Sequence, residues 1–482
     1  MRIAVLGAGV GGLASAIALG RQGHHVTLIE QDGGPQTEDP DEAFTTWARK
    51  GVRQARQGHE IFARGLNVLR EHAPDVLENL EELGGELSQS PLVALFPPEC
   101  RLPGDEELAL LSCRRITFEL ALRRAAAETP GVDIQGGVKA TGLVIDAGSV
   151  PRIRGMTTSV GRIDSNLIVD AGGRRSPVRS WLQNAGVSLP EERAQDCGVT
   201  QYTRYYRIAS GSFDPWALTT LDEADYCLYS AFPGDRGTFA IALEMQTRDT
   251  AFRILRFNNV WEAAVMAFPK LAPWIAPSRA RPLSAVDPMG GFRNSYRPFV
   301  DGTRLPYLGC IPVGDSLCTT DPMVGWGLSL AIHHAFTMAR VVEADLDTSA
   351  RRYAHEVQTE TEACFRATAA GSRVRLAHWR GESPDVDDPD VRRQILIREG
   401  VIPAMFEDPI LLRAAMRMLH LIDRPDAIFD NADVLERARN VQRRRPGASA
   451  AGGAPAREEL LAITRAALPP QSRPSLQIEN PK

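Results

Sequence analysis

The chain opens with a strand-length apolar run, Ile3-Ala4-Val5-Leu6, followed at once by Gly7-Ala8-Gly9-Val10-Gly11-Gly12. An apolar helical run from Leu13 to Leu19 comes next, then a second apolar strand, His25 to Ile29, ending on Glu30. This order constrains the fold more than any other feature: strand, glycine-rich turn, helix and strand at this spacing form a βαβ unit that grips a dinucleotide by its pyrophosphate. Gly7 permits the tight turn, Gly9 lets the backbone approach phosphate, and Gly12 lets the helix pack closely on the strand. The helix N-terminus offers free N–H groups and the positive end of its dipole. Glu30 is placed to accept hydrogen bonds from a ribose hydroxyl, and its charge repels a further phosphate, which favours FAD or NAD over NADP.

At 482 residues the chain exceeds one hydrophobic core, so two or three structural regions are expected. A net charge of −5 carries no electrostatic footprint for nucleic acid. No stretch approaches the ~20 uninterrupted apolar residues of a membrane span. The opening strand leaves no basic region or cleavage site for a secretory signal, so a cytoplasmic enzyme is expected. Seven cysteines (Cys100, Cys113, Cys197, Cys227, Cys310, Cys318 and Cys364) are scattered without a C-x-x-C, which argues for reduced thiols and against a metal site or a disulfide framework.

Far down the chain Tyr307 to Val313 reads as a strand. It runs into Gly314-Asp315-Ser316, then Asp321-Pro322-Met323-Val324-Gly325-Trp326-Gly327, then an apolar helix from Leu328 to Val342. The pattern resembles the second fingerprint of FAD-dependent monooxygenases of the aromatic-hydroxylase (p-hydroxybenzoate hydroxylase-like) superfamily. The resemblance implies that Asp315 holds a ribityl hydroxyl of FAD and that Pro322, Gly325 and Gly327 present a helix N-terminus to the isoalloxazine. A reduced flavin is anionic there, and a helix dipole stabilises it. The segment Gly51 to Gly65, with Gln54, Arg56, His59 and Arg64 at their spacing, is similar to one found in the subset of bacterial natural-product epoxidases and oxidases. It marks Arg53 and His59 as catalytic candidates and Arg64 as a cofactor ligand. Ser112 to Leu122 is similar to the family's helix start, which implies that Arg115 lies near the FAD phosphates and ribityl chain.

Leu167 to Ser176 departs from the pattern of hydroxylases that take hydride directly from NADPH. Gly172-Gly173 stands where they carry Asp-Gly, and the aspartate appears two positions earlier as Asp170. That version is closer to halogenases, polyketide epoxidases and geranylgeranyl-reductase-like proteins. Electrons therefore come from NAD(P)H either directly or through a separate flavin reductase.

The expected architecture is α/β, a Rossmann-like (GR2-type) FAD-binding domain with an inserted antiparallel β-sheet substrate domain and a C-terminal helical region. Residues 1–182 supply the first parts of the FAD-binding domain, with a helical excursion near 40–95, and 290–345 supply its last part. Residues 183–289 form the substrate domain; within it Gln201 to Ile208, Tyr226 to Phe232 and Thr238 to Met245 alternate in polarity, with Phe239, Ile241, Leu243 and Met245 on one face. Residues 346–445 read as a helical appendage broken at Asp387-Asp388-Pro389 and Arg424-Pro425, ending near Arg443-Arg444-Arg445. Residues 446–482 read as a linker, a short helix and a tail.

The family resemblance implies a monooxygenase that places one oxygen atom from O2 into an aromatic ring or an alkene through a flavin C4a-hydroperoxide, hydroxylation and epoxidation both remaining open. The substrate is expected to be a small, apolar molecule. A dehydrogenase or reductase of the same fold, a halogenase, and a non-catalytic FAD-binding partner are the rival readings. No hydrolase elbow is present, because Gly314-Asp315-Ser316-Leu317-Cys318 lacks its final glycine.

Overall fold

The computed structural model describes residues 1–89, 94, 96–209, 214–302, 304–444 and 453–468. Its centre is a five-stranded parallel sheet in the spatial order Cys310–Pro312, Leu167–Asp170, Arg2–Leu6, His25–Glu30, Val132–Gly136. The three inner strands are apolar along their length and almost wholly buried, as strands covered on both faces must be. Helix Val10–Arg21 lies between this sheet and helix Gly327–Val341, which is why it is apolar nearly all round. The Cβ position of Gly11 sits 3.6 Å from Ala331 Cβ at that helix contact. Register aligns Leu6 with Asp170 and Asp170 with Pro312. The turns leaving these strands, Gly7, Ala171 and Val313, are thereby gathered at one edge, the carboxyl ends where open α/β sheets bind ligands.

The strand expected over Tyr307 to Val313 is shorter, Cys310–Pro312. Gly309 adopts a left-handed φ of 81°, and Leu308 makes only a single parallel bridge to Arg152. A three-stranded sheet over Ala140–Asp146, Arg152–Thr158 and Gly161–Asp164 adds to the first domain. The helical excursion near 40–95 holds Pro40–Thr46, Ala63–His72 and Pro74–Glu82.

The inserted region is an antiparallel sheet in the order Thr220–Glu223, Cys227–Pro233, Thr238–Gln246, Val199–Ile208, Ala280–Pro282, with Asp287–Met289 also paired to Val199–Ile208. Its two longest pairings begin at Val199↔Gln246 and Cys227↔Met245; the strands of the second are joined by a hairpin whose Arg236 and Gly237 both take positive φ. Period-two alternation separates its faces. Tyr202, Tyr206, Tyr229, Phe239, Ile241, Leu243 and Met245 form a separate core with Trp261 of helix Asn258–Met266 and with Leu460 and Leu461 of helix Arg457–Ala466. Tyr205 and Ala240, on the other face, belong to the core of the first domain.

The C-terminal region contains helices Leu346–Trp379, Pro389–Leu396, Pro409–Leu419 and Ala432–Arg444. The break at Asp387-Asp388-Pro389 is a helix start: Asp388 accepts the backbone N–H groups of Asp390 and Val391, and Pro389 occupies the first turn. Trp326 Nε1 donates to Leu419 O at 2.8 Å and Arg64 N to His420 O at 3.1 Å, which fasten this region over the first domain. Arg445, residues 446–452 of the expected linker and residues 469–482 of the tail lie outside the described residues. The short helix between them, Arg457–Ala466, packs into the sheet core. No helix among the described residues is long and apolar enough to cross a membrane. The seven cysteines are free thiols, all buried except the half-exposed Cys100.

Candidate active site

One cavity of about 1060 Å³ opens at the carboxyl ends of the parallel strands and runs to the inner face of the antiparallel sheet. Two helix N-termini face it. Gly9, Val10 and Gly11 begin one helix; Gly325, Gly327 and Leu328 begin the other. Neither carries a side-chain cap, so first-turn N–H groups are left for a ligand. A Cβ at Gly9 would meet nothing within 4 Å and would instead occupy cavity space. Gly7, at φ 97°, makes the turn, and Gly12 lies below the cavity, where a Cβ would fall 1.8 Å from Gly7 O.

Glu30 lines the cavity at the end of the second strand. Its Oε2 accepts Ala8 N–H and its Oε1 accepts Asp32 N–H, each at 3.0 Å, which orients the carboxylate and leaves lone pairs free. Behind it Arg49 is almost fully buried between Glu30 (3.3 Å), Asp32 (3.6 Å) and Glu119 (3.0 Å). Glu119 also takes the Nε of Arg115 at 2.7 Å. Burial raises the affinity of Glu119 for a proton, but Arg49 and Arg115 outweigh it and hold the carboxyl below its ordinary range. Arg115 is thereby fixed with its remaining N–H groups along the cavity wall. Its neighbour Arg114 points elsewhere, into a buried pair with Asp235 at 2.5 Å that ties the sheet hairpin to the first domain.

His59 lines the same wall. Its Nδ1 lies 2.9 Å from Gln57 O and its Nε2 lies 3.5 Å from Arg115 Nη1. Burial and the adjacent Arg115 push its pKa down to about 3, so it is neutral, with Nδ1–H donating to Gln57 O and Nε2 turned to the guanidinium. This arrangement positions Arg115 and leaves His59 no free nitrogen for a base. Arg53 stands at the exposed rim with Lys50, Lys139 and Arg175, and the half-buried Arg174 lines the cavity beside them. Asp315 lines the cavity across from them and its carboxylate accepts no hydrogen bond among the described residues. Burial raises its pKa, against Arg115, Arg174 and Arg297, which lower it.

Arg64 departs from its expected role as a cofactor ligand. It belongs to helix Ala63–His72, whose Gly65 packs so tightly on helix Gly327–Val341 that a Cβ would lie 2.9 Å from Ser329 Cα. That packing turns Arg64 outward to an ion pair with Glu360 at 2.6 Å, and it does not line the cavity. Pro322, Gly325 and Gly327 do line it, and Gly325 takes a φ of 77° against the ring of Phe62. Asp170 is absorbed in structure: its carboxylate accepts Gly172 N–H, Ser176 Oγ–H and Ser316 Oγ–H. A Cβ at Gly172 would lie 3.2 Å from both Asp170 Oδ1 and Ser176, so this turn has no room prepared for an aspartate there.

Sequence reasoning expected the inserted sheet to be the substrate domain but named none of the residues at the far end of the cavity. Gln201, Ser230, Phe232 and Glu244 line it from the sheet, and Met405, Phe406, Met416, Leu419 and His420 line it from the C-terminal helices. Glu244 had a signal, since it is the lone charge in the strand that runs from Thr238 to Met245. The helical residues had none, because their sequence distance from the glycine motifs hides the contact.

Comparison with known proteins agrees with this geometry. Residues 5–53 match the family model of the NAD(P)-binding Rossmann-like domain. The chain is 22% identical over 374 residues to Protein Rv3254 of Mycobacterium tuberculosis, covering 70% of this chain and 72% of that protein. It is similar to PqsL of Pseudomonas aeruginosa, described as a "probable FAD-dependent monooxygenase", at 15% identity with a TM-score of 0.56, covering 79% of this chain and 98% of that one. It is also similar to a triple mutant of the flavin-dependent brominase Bmp2, at 16% identity with a TM-score of 0.59, covering 92% and 98%. At these identities the likeness is one of fold alone.

Proposed function

We propose that this chain is an FAD-dependent monooxygenase that places one oxygen atom from O2 into an aromatic or alkene substrate. The observation that carries the reading is a single cavity with two uncapped helix N-termini at one end and a largely apolar chamber at the other. The residues present fit FAD: the open space at Gly9 admits a pyrophosphate, Glu30 and Asp315 offer acceptors for ribose and ribityl hydroxyls, and Arg115 with the basic rim complements phosphate charge.

When bound, FAD supplies the redox chemistry and the activation of O2. The chain's own residues bind, orient and exclude water. The turn at Gly325 and the first turn of helix Gly327–Val341 direct N–H donors at the end of the cavity beside Asp315, where they favour developing negative charge. Arg115 is held by Glu119 and His59 and does not have to reorganise when an anion arrives. Phe232, Met289, Phe292, Met405 and Leu419 exclude water from the chamber. With Asp170 spent on its own turn and glycine at 172, a separate flavin reductase is the favoured electron source. The Gly51 to Gly65 segment supports a substrate of the natural-product kind.

The test begins with the visible spectrum of the purified protein, which should be that of an oxidised flavin. Under anaerobic conditions NADPH and NADH should each leave the band unbleached. Reduced flavin plus O2 should then yield oxygenated product from an aromatic or alkene panel, with label from ¹⁸O2. A protein that binds no flavin overturns the reading. One that binds flavin and only exchanges hydride with substrates is a dehydrogenase instead.

A further inference from the structure

Glu244 is 2% exposed and sits on the inner face of the antiparallel sheet, in the strand Thr238–Gln246. On that face it follows Ala240 and Ala242, while its sequence neighbours Leu243 and Met245 face the opposite core. Its Oε1 accepts Gln201 Nε2–H at 2.9 Å from the residue directly opposite in the next strand, and Ser230 Oγ–H at 3.4 Å. Its Oε2 is buried and has no partner among the described residues. An orphaned carboxylate oxygen on a cavity wall is costly, and its cost is offset only when a donor arrives.

We propose that Glu244 receives a hydroxyl or N–H group of an otherwise apolar substrate at Oε2 and accepts its proton during turnover. The inference rests on the monooxygenase reading above. In the step, the substrate O–H or N–H bond breaks, its electron pair stays on the substrate heteroatom and delocalises into the conjugated ring, and a new O–H bond forms on Oε2. The ring becomes more electron-rich where oxygen is added, and the carboxylic acid returns the proton to the product; no electron leaves or enters in this exchange.

The groups around Glu244 suit the task. Burial raises its pKa to about 7 against the two hydrogen bonds from Gln201 and Ser230. Arg375, from helix Leu346–Trp379, lowers it, and Asp321, ahead of Pro322, raises it. These two are themselves paired at 2.6 Å, so neither charge dominates the site. Cys227, on the adjoining strand, is a neutral thiol whose own pKa is raised mainly by burial, with Glu244 adding to the rise.

The test compares 2-naphthol with its methyl ether, 2-methoxynaphthalene, by equilibrium dialysis against FAD-loaded protein, one pH unit above and one below about 7. Wild type should favour the naphthol by roughly tenfold at the higher pH, the worth of one hydrogen bond to a buried charge, and lose most of that preference at the lower pH. Glu244→Gln should show a small preference that does not change with pH, while Glu244→Asp keeps the pH dependence. Equal binding of the two compounds by wild type, binding of neither, or an unchanged preference in Glu244→Gln overturns the proposal. The wild-type pH pair decides the matter even where a variant fails to fold. Flavin content, read from the same samples, separates the two readings: a flavin-free protein that still prefers naphthol refutes only the cofactor, and a flavin-loaded protein without preference refutes only Glu244.

Discussion

Two glycines three positions apart at the start of one helix show how little residue type says alone. Gly9 and Gly12 both belong to the motif that points to a dinucleotide, yet a Cβ at Gly9 meets open cavity and one at Gly12 meets Gly7 O at 1.8 Å. Gly9→Ala is therefore expected to change stability by less than ~1 kcal/mol, and Gly12→Ala to cost about 1–3 kcal/mol or more through overpacking. Both should lose FAD, the first because a methyl fills the phosphate's place, the second because helix and strand separate. Thermal melting of the apoproteins, with flavin absorbance after desalting, checks this; a Gly9→Ala protein that stays yellow would count against pyrophosphate binding here. His59 and Arg64 carry the same lesson. The motif names both, but the fold turns one toward the cavity and the other to Glu360.

At the scale of elements, two C-terminal pieces complete structures begun hundreds of residues earlier. The segment around Leu419 and His420 roofs the cavity, with the buried Trp326 donating to Leu419 O. Trp326→Phe leaves that carbonyl without its donor, at a cost of about 1–3 kcal/mol, and should speed flavin release from the diluted holoprotein. An unchanged release rate would show that the roof is held by its apolar contacts alone. Helix Arg457–Ala466 buries Leu460 and Leu461 almost completely in the core of Trp261 and Phe239. Ending the chain before Arg457 should cost about 3–6 kcal/mol, from two leucine side chains at 1.5–3 kcal/mol each. Tryptophan emission should shift to longer wavelength as Trp261 gains water; a truncated chain with native emission and stability would refute the packing.

For the whole molecule, pH acts through buried groups of opposing sign. His59 and His334, at about 3, and His420, at about 4, are depressed chiefly by burial. The unfolded chain protonates these near 6.5 while the folded one does not, so each removes stability as pH falls below 6.5 toward its folded value. Glu60 and Glu244 are raised to about 7 by burial, so the folded state takes up their protons first and each adds stability as pH falls from about 7 to 4.5. Between 6.5 and 4.5 the three histidine losses exceed the two glutamate gains by one proton, about 1.4 kcal/mol per pH unit. Below 4.5 the glutamate gain is complete and the histidine loss continues. Glu360, whose burial is outweighed by His333 and Arg64 to give about 2, then adds a loss of its own. Denaturation midpoints should fall gently from pH 6.5 to 4.5 and steeply below it. A midpoint that does not fall below pH 4.5 would contradict these burials.

The sequence by itself determined the parallel sheet and the glycine-rich turn at its carboxyl end. Those features are written in local spacing: period-two and period-3.6 apolar patterns, and glycines where a turn or close approach forbids a side chain, as at Gly7 and Gly12. Only the tertiary structure decided what the far end of the cavity is made of. Glu244 faces the cavity because its strand pairs in one register, with Gln201 opposite, and a slip of one residue would bury it in the other core. Leu419 and His420 reach the cavity because helices distant in the chain pack across it, and Arg64 leaves it because Gly65 lets two helices close together. Contacts between residues hundreds of positions apart depend on how whole elements dock, and docking is set by the summed fit of many side chains that no local pattern records.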